Sequence, residues 1–216
     1  MDNIVGRLQS TFPSHQLDVI IGSLLGDARL ECRSNGIRGV LTARFRVHHG
    51  EKQKDYVWWK YEILKSFVSS SPRKISWTNR KRNLKEISWY FHTRSLEGFG
   101  IIHKIFYKDN VKIFPKEVLP IFSDRMLAIW YMDDGSNNHS NVTLSTHSFS
   151  YEDQEIIVDF LKKKYNISAT IVKDRNQWKI AIGKEYYNLF LSIVSPFIAP
   201  SMTYKIDNPR IDLSSK

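Results

Sequence analysis

The spacing of apolar residues divides the first half of the chain into helical and extended stretches. Residues 14–27 carry apolar side chains at helical intervals, which predicts a helix with Ser14 as its N-cap, and residues 51–69 and 95–106 predict two more helices. The stretches between these helices alternate polar and apolar residues, as strands do. They predict four strands, at residues 28–33, 39–48, 73–79 and 85–93.

The same order of elements returns in the second half of the chain. Ser123 is predicted to cap a helix that ends at Asp134, and residues 141–147 and 151–165 predict a strand and a helix. The remaining elements are a hairpin and a last helix. The hairpin has strands at residues 168–174 and 177–183 with its turn at Arg175 and Asn176, and the helix spans residues 185–194.

Each half is therefore interpreted as a helix, two strands, a helix, two strands and a helix, although only one strand, at residues 141–147, is marked by its pattern between the first two helices of the second half. Such an internal duplication predicts two structural units of the same kind. The predicted fold class is α+β, with two pseudo-symmetric αββαββα repeats at residues 1–115 and 116–216.

The first helix of each half ends on an aspartate. The octets IIGSLLGD and LAIWYMDD place Asp27 and Asp134 at their eighth positions. The C-terminal end of a helix carries partial negative charge, so a carboxylate there costs stability. If the two helices pack side by side, with Gly22 and Gly26 allowing a close approach, both carboxylates meet and a hard cation such as Mg²⁺ would compensate them. The alternative is that each aspartate faces water at a frayed helix end.

Composition favours a polyanionic partner. The 32 lysines and arginines outnumber the 22 acidic residues and give a formal net charge of +10. That surplus is typical of nucleic-acid-binding domains, a solvated basic surface without a partner being the alternative. Cys32 is the only cysteine, which excludes an intramolecular disulfide and suits a reducing compartment. No signal peptide or membrane-spanning stretch is predicted, so the chain is expected to be soluble.

At these residues the chain resembles the LAGLIDADG homing endonucleases, in the single-chain branch with two motif copies. The nine-residue motif maps onto Ile20–Ala28 and Leu127–Gly135. The resemblance implies paired motif helices at the centre of the molecule and two antiparallel β-sheets that form a saddle for double-stranded DNA. It also implies an intron-encoded monomer that hydrolyses both strands of a long target and leaves short 3′ overhangs.

The resemblance further implies a metal site. Asp27 and Asp134 are expected to bind the metal, and Gly26 and Asp133 to contribute backbone carbonyl groups, with the Asp133 side chain secondary. The expected cofactor is Mg²⁺, with Mn²⁺ able to substitute for it and Ca²⁺ able to support binding without cleavage.

Basic residues late in each half are expected near the active site. The segments VKIFP and TYKI nominate Lys112 and Lys205 as catalytic residues, with solvated surface lysines as the alternative. These two lysines would stabilise charge or tune a water molecule during phosphodiester hydrolysis.

The motif copies depart from the family pattern at a few positions. Ala28 occupies the ninth position of the first copy, whereas Gly135 in the second copy suits a left-handed helix cap. His147 replaces a glutamine that many relatives carry after the second strand, and His49 is its expected counterpart. Either histidine would order water near a metal or contact a phosphate, unless it has an ordinary packing or surface role.

The polar faces of the strands are the expected DNA-binding surface. In the first half the candidates are Arg33, Arg38, Arg44, Arg46, His49, Lys74, Trp77, Arg80, Arg82 and Lys85. In the second half they are Asn138, Asn141, Thr143, Ser145, His147, Lys173, Arg175, Gln177 and Lys179. Some of them are expected to touch only phosphates, which sets affinity rather than sequence preference. Because the two sets differ, the expected target is not a true palindrome.

Two other functions stay open at the level of the sequence. One is an intron RNA maturase with the same fold, whose partner would be the host intron RNA. The other is a catalytically inactive DNA-binding regulator, although the presence of both Asp27 and Asp134 argues against it. The compartment is open as well, and would be organellar if the host intron is mitochondrial or plastid.

Overall fold

Two antiparallel four-stranded sheets and a central pair of helices make up most of the fold. The structure is a computed structural model, and it describes residues 4–32, 41–79 and 83–207. The elements of the first half are α1 Ile4–Thr11, α2 Ser14–Leu25, β1 Arg29–Glu31, β2 Arg44–Gly50, α3 Lys54–Leu64, β3 Arg73–Asn79, β4 Leu84–His92, α4 Glu97–Phe106, β5 Tyr107–Lys108 and β6 Val111–Lys112.

The second half repeats this order without counterparts of α1, β5 and β6 among the described residues. Its elements are α5 Asp124–Asp134, β7 Gly135–Asn137, β8 Val142–Leu144, α6 Tyr151–Tyr165, β9 Ala169–Asp174, β10 Gln177–Ile182 and α7 Lys184–Val194. Short 3₁₀ turns join several of these elements, and one of them, Pro200–Lys205, follows α7. Every helix in the described ranges is too short or too polar to cross a membrane.

The two large sheets have the same topology. The first has the strand order β1-β2-β4-β3 and the second has the order β7-β8-β10-β9. Each follows directly from the C-terminal end of one central helix, since β1 comes after α2 and β7 comes after α5. The predicted α+β duplication is thereby confirmed, whereas the division of the chain between residues 115 and 116 stays a prediction.

The central helices α2 and α5 pack with their backbones almost in contact. A Cβ atom built on Gly22 would lie 2.8 Å from Ile129 Cβ, and one built on Gly26 would lie 2.4 Å from Asp133 Cβ. Real Cβ atoms do not approach each other so closely, so glycine is required at both positions and its predicted role is confirmed. At the other end of the pair, Ser123 Oγ donates a hydrogen bond to Asp18 Oδ1 at 2.8 Å.

The predicted helix caps are confirmed at one end and wrong at two others. Ser123 caps α5, because its Oγ accepts a hydrogen bond from the Met126 amide at 3.1 Å. Ser14 is instead the first helical residue of α2, behind the N-cap Pro13. Gly135 is extended, with φ −82° and ψ 152°, and not left-handed. Glycine is needed there for space, since a Cβ would lie 1.9 Å from the Tyr131 ring.

The sequence pattern misses the shortest elements. The hairpin of β5 and β6 has two residues in each strand, which is too short for an alternation to show. Its turn contains Asp109 and Asn110, both with positive φ, a conformation that asparagine and aspartate tolerate better than most residues. β7 has the polar sequence Gly-Ser-Asn and is held by its pairing with β8 rather than by strand propensity.

Candidate active site

Three carboxylates gather where α2 and α5 end. Asp27 lies just beyond α2, and Asp133 and Asp134 are the last two residues of α5. Burial, together with the negative charges of Asp27 and Asp133, raises the pKa of Asp134 to about 7. Burial and Asp133 likewise raise the pKa of Asp27. The predicted convergence of the two motif aspartates is confirmed, and it is electrostatically unfavourable in the absence of a cation.

Asp133 has a cation of its own, supplied by helix α3. Lys60 Nζ lies 2.7 Å from Asp133 Oδ1 and 2.9 Å from Asp133 Oδ2. Neither side chain has any solvent exposure, and the ammonium group also stands 4.3 Å from the centre of the Tyr56 ring. Burial lowers the pKa of Lys60, and the neighbouring aspartates oppose that shift. One of the negative charges at the end of α5 is therefore neutralised inside the chain.

His49 lies between this ion pair and Asp27. Its Nδ1 is 3.5 Å from Asp27 Oδ2, and its Nε2 is 3.4 Å from Lys60 Nζ. Burial and the Lys60 charge lower the pKa of His49 to about 4, so the imidazole is neutral at pH 7. Only 2% of its side chain is exposed, which places it in the interior beside the site and not on the open face of the sheet.

Lys112 and Lys205 occupy matching places on the two sides of the site. Lys112 Nζ donates to the carbonyl oxygens of Gly26 and Ala28, at 3.0 Å each, and Lys205 Nζ donates to the carbonyl oxygen of Gly135. Each lysine thus binds the residue that follows a motif aspartate. Burial lowers the pKa of both lysines, against the raising effect of the three aspartates. Their predicted nearness to the site is confirmed, while their catalytic role stays a prediction.

The site has the composition that a hard divalent cation requires. Asp27 remains 45% exposed, and within the described ranges no lysine or arginine nitrogen lies within 4.0 Å of the Asp27 or Asp134 carboxylate. Carboxylate and backbone carbonyl oxygens are the ligands that Mg²⁺ prefers. The carboxylates of Asp27 and Asp134 are therefore suitable ligands for Mg²⁺. The Asp133 carboxylate is a poor ligand, because Lys60 already contacts both of its oxygens.

Replacing Asp134 by asparagine is expected to stabilise the metal-free protein at neutral and higher pH. The pKa of Asp134 is about 7 in the folded protein against a usual value of 3.8, so the folded state binds the proton more tightly than the unfolded state does. The resulting stability is fully present below pH 3.8 and is lost as the pH rises through about 7.

Thermal melting in EDTA at pH 5 to 8.5 measures this effect. The wild-type midpoint should fall across that range and the Asp134→Asn midpoint should fall less, with each kcal/mol of relieved repulsion worth about 2 to 4 °C. Parallel melting curves for the two proteins would show that Asp134 is not held in an unfavourable charged state.

The open face of the first sheet is cationic. The cross-strand pairs Arg29↔Arg46 and Arg46↔His92 place these three side chains on one face, away from Phe45 and Val47 in the core. Glu31 shares this face and forms ion pairs with three arginines, namely Arg29, Arg44 and Arg46. Against the raising effect of burial, Arg29 and Arg44 lower the pKa of Glu31 to about 2. The predicted candidates Arg44 and Arg46 are therefore fixed in position on a surface that keeps a net positive charge.

The strand register corrects part of the predicted DNA-binding face. Trp77 pairs with Glu86 and lies on the open face with 49% exposure. Lys74 pairs with Trp89 and Lys85 pairs with Thr78, both on the opposite face, because successive residues of a strand point to opposite sides. Their placement on the open face was wrong. Four other candidates lie outside the described residues, namely Arg33, Arg38, Arg80 and Arg82.

The second sheet presents a more neutral open face. Thr143 pairs with Ala181, and Gln177 pairs with Asp174, on that face. Lys179 shares it and binds Asp174 at 2.9 Å. Lys173 pairs with Trp178 on the opposite face, so its predicted placement was wrong for the same reason of alternation. The remaining candidates lie in or beside the connecting turns, namely Asn138, Asn141, Ser145, His147 and Arg175.

The predicted correspondence between His49 and His147 is wrong. The ladders pair Arg29 with Arg46 and Ser136 with Thr143, so Arg46 corresponds to Thr143. Counting onward, His49 corresponds to Thr146, which is fully buried. The side chain of His147 instead lies 3.3 Å from Asp174, at the end of β9 in the second sheet. Similar local sequences suggested the match, but the register of each strand decides which side chain faces the site.

Lys60 is a residue of the site that the sequence does not single out. The buried residues of α3 are Tyr56, Val57, Lys60 and Leu64, which is the spacing of one helix face. A lysine in phase with an apolar face is unusual unless it is paired. That signal was present in the sequence, although it could not name Asp133 as the partner.

Comparison with known proteins agrees with this geometry. Residues 17–190 match the model of the LAGLIDADG DNA endonuclease family. The chain is 31% identical over 219 residues to the cytochrome b mRNA maturase bI2 of Saccharomyces cerevisiae, covering 96% of this chain but 50% of that protein. It is 30% identical over 210 residues to the DNA endonuclease I-ChuI of Chlamydomonas applanata, covering 89% of this chain and 94% of that one.

A solved structure shares the fold over nearly its whole length. The homing endonuclease I-WcaI, bound to its DNA recognition sequence, superposes with a TM-score of 0.81 at 24% identity. The match covers 94% of this chain and 92% of that one. Because the family model spans most of the sequence, the chain belongs to the LAGLIDADG DNA endonuclease family.

Proposed function

We propose that the chain is a metal-dependent homing endonuclease that hydrolyses both strands of a long double-stranded DNA target and leaves short 3′ overhangs. The observation that carries this proposal is the convergence of Asp27 and Asp134 at the ends of α2 and α5, where burial and neighbouring negative charges, that of Asp133 among them, raise the pKa of both carboxylates. Two costly carboxylates at one place are typical of a site that binds cations.

The relatives support DNA as the substrate. I-ChuI is named as a DNA endonuclease, and a relative from Wickerhamomyces canadensis, 28% identical, is named as a probable intron-encoded endonuclease. The solved I-WcaI structure contains its DNA recognition sequence. The cationic open face of the first sheet suits a phosphate backbone, and a monomer with two sheets would follow a long site along the major groove.

The residues of the site would divide the work of hydrolysis between them. Bound Mg²⁺ would supply Lewis acidity and lower the pKa of a water molecule. Asp27 and Asp134 would hold the ions. Lys112 and Lys205 hold the backbone carbonyl groups beside the two aspartates, namely those of Gly26, Ala28 and Gly135. They would bring positive charge to the place where the phosphate becomes more negative.

A cleavage assay tests the proposed function. If the reading frame lies in an intron, a duplex that joins the flanking exons is the first substrate to use. With Mg²⁺ or Mn²⁺ we expect one double-strand cut with 3′ extensions, and with Ca²⁺ we expect binding alone. Failure to cut this duplex and a library of randomised targets, by a protein that binds DNA tightly, would favour the inactive regulator instead.

A maturase is the second candidate, because the yeast relative that matches 96% of this chain is named as an mRNA maturase. This activity would use a basic surface to bind and fold the host intron RNA. A splicing assay on that intron tests this activity, with the Asp134→Asn variant compared with the wild type. Splicing that is stimulated equally by both proteins would separate the maturase activity from the metal site, and no stimulation would remove this candidate.

A further inference from the structure

The two halves of the active site are built differently at the seventh position of the motif. Gly26 occupies this position in the first copy and Asp133 in the second. The two residues face each other across the helix pair, where a Cβ on Gly26 would lie 2.4 Å from Asp133 Cβ and 3.0 Å from its Oδ2. There is room for one side chain only, so the asymmetry is a consequence of the close packing of α2 and α5.

Asp133 uses this room to form a closed ion pair. Lys60 contacts both carboxylate oxygens, at 2.7 and 2.9 Å, and both side chains are wholly buried. A carboxylate whose two oxygens already bind an ammonium group is a poor ligand for a second cation. Asp133, Asp27 and His49 nevertheless offer ligand atoms that all lie within 4.8 Å of one another. The Lys60 ammonium group occupies the Asp133 oxygens that a metal site formed by these three residues would use.

The ion pair also reaches Asp27. His49 Nε2 lies 3.4 Å from Lys60 Nζ, and His49 Nδ1 lies 3.5 Å from Asp27 Oδ2. In the second half, Thr146 stands at the corresponding position and donates from Oγ1 to Gln154 Oε1 at 2.9 Å. The Gln154 amide group in turn donates to the carbonyl oxygens of Thr146, Phe149 and Trp178. A charged network thus leads to Asp27, whereas a neutral network occupies the matching place on the side of Asp134.

We propose that Lys60 is a positioning residue, which withholds Asp133 from metal binding and, through His49, orients Asp27, so that the two DNA strands depend unequally on it. The strand dependence rests on the proposed endonuclease function, whereas the effect on metal binding does not. Residues that orient metal ligands typically contribute roughly 10- to 100-fold in metal affinity or activity. Loss of Lys60 is expected to change the cleavage rate of the DNA strand served by Asp27. The cleavage rate of the strand served by Asp134 should change far less.

The test compares Lys60→Met with the matched control Lys65→Met. Methionine keeps the length of the Lys60 stem without its charge, and Lys65 is an exposed residue that pairs with Glu62 just beyond the same helix. The first readout is Mn²⁺ binding to the DNA-free protein, followed by electron paramagnetic resonance. We expect Lys60→Met to bind one more Mn²⁺ ion than the wild type and Lys65→Met to bind the wild-type number.

The second readout is the rate of cleavage of each strand, on a duplex that carries a different label at each end. Lys60→Met should change the ratio of the two strand rates by roughly 10-fold or more, and Lys65→Met should leave it unchanged. His49→Gln should shift the ratio in the same direction while keeping the Lys60–Asp133 ion pair, and it serves if Lys60→Met does not fold. A purely structural role would lower the melting temperature and slow both strands equally.

The two readouts separate the inference from the proposed function. A wild-type protein that cuts no DNA would refute the endonuclease, and the Mn²⁺ stoichiometry would still decide the role of Lys60. An unchanged Mn²⁺ stoichiometry in Lys60→Met overturns the proposal. So does a strand ratio that stays at the wild-type value in both Lys60→Met and His49→Gln.

Discussion

Asp27→Asn and Asp134→Asn are each expected to abolish double-strand cleavage while leaving DNA affinity close to that of the wild type. Asparagine keeps the shape of the side chain but removes the charge that would hold a divalent ion. Loss of such a group typically costs on the order of 10³-fold or more in rate. Binding should survive because we expect the basic open face of the first sheet, and not the helix tips, to make most of the contacts to phosphate.

Single-turnover cleavage in Mg²⁺ and DNA binding in Ca²⁺ measure the two effects separately. Asp159→Asn is a suitable control, because Asp159 is an exposed residue of α6 that pairs with Lys163 away from the helix tips. Cleavage at the wild-type rate by both active-site variants would show that Asp27 and Asp134 do not hold a catalytic metal ion. Loss of binding together with cleavage would show that the aspartates support the fold or the DNA interface instead.

DNA affinity is expected to fall steeply as the salt concentration rises. The formal charge of +10 and the arginines of the first sheet indicate that phosphate contacts supply much of the binding energy. The logarithm of the affinity should fall with a slope of about 0.9 per phosphate contacted, so six to ten contacts lose roughly 10³- to 10⁵-fold between 50 and 200 mM salt.

Variants of single arginines show where this charge acts. Arg46→Gln should lower the slope by about one contact, because Arg46 lies at the centre of the open face between Arg29 and His92. Arg7→Gln is the control, since Arg7 is on α1 and pairs at the surface with Glu97. A flat response to salt, or equal slopes for both variants and the wild type, would contradict a phosphate-binding role for the first sheet.

The electrostatic asymmetry between the sheets gives the molecule two different halves. Three arginines crowd around Glu31 on the first sheet, whereas Lys179 of the second sheet is paired with Asp174. The first half therefore supplies most of the positive charge along the described strands. The second half presents hydroxyl and amide groups. These groups suit short-range hydrogen bonds to base edges and do not attract DNA over long distances.

Much of the architecture follows from local patterns in the sequence. Residues 73–79 and 151–165 form a strand and a helix with the predicted bounds, because alternation and helical spacing are properties of the segment itself. The duplication and the meeting of Asp27 with Asp134 could also be predicted. The duplication follows from the repeated order of elements. The meeting of the aspartates follows from their shared eighth position in the two octets and from Gly22 and Gly26 within the first octet.

What the sequence could not supply depends on register and on distant partners. The basic character of Lys74 and Lys85 predicts a place on the open face, but the β3–β4 register turns both side chains to the other face. His49 and Lys60 are brought together with Asp133 by three separate elements, which no local pattern encodes. The aspartates at the helix tips predict a cation nearby. Only the fold shows that Lys60 already supplies one positive charge there, paired with Asp133.

We propose that Asp27 and Asp134 hold divalent ions against the backbone of DNA, while Asp133 does not. The most direct test is a crystal structure of the protein with its target duplex and Mn²⁺, with diffraction data collected at a wavelength where manganese scatters anomalously. We predict manganese peaks in contact with the Asp27 and Asp134 carboxylates and with a phosphate of each strand, with Lys60 still bound to Asp133. Peaks that avoid both motif aspartates, or a manganese ion in the place of the Lys60 ammonium group, would contradict it.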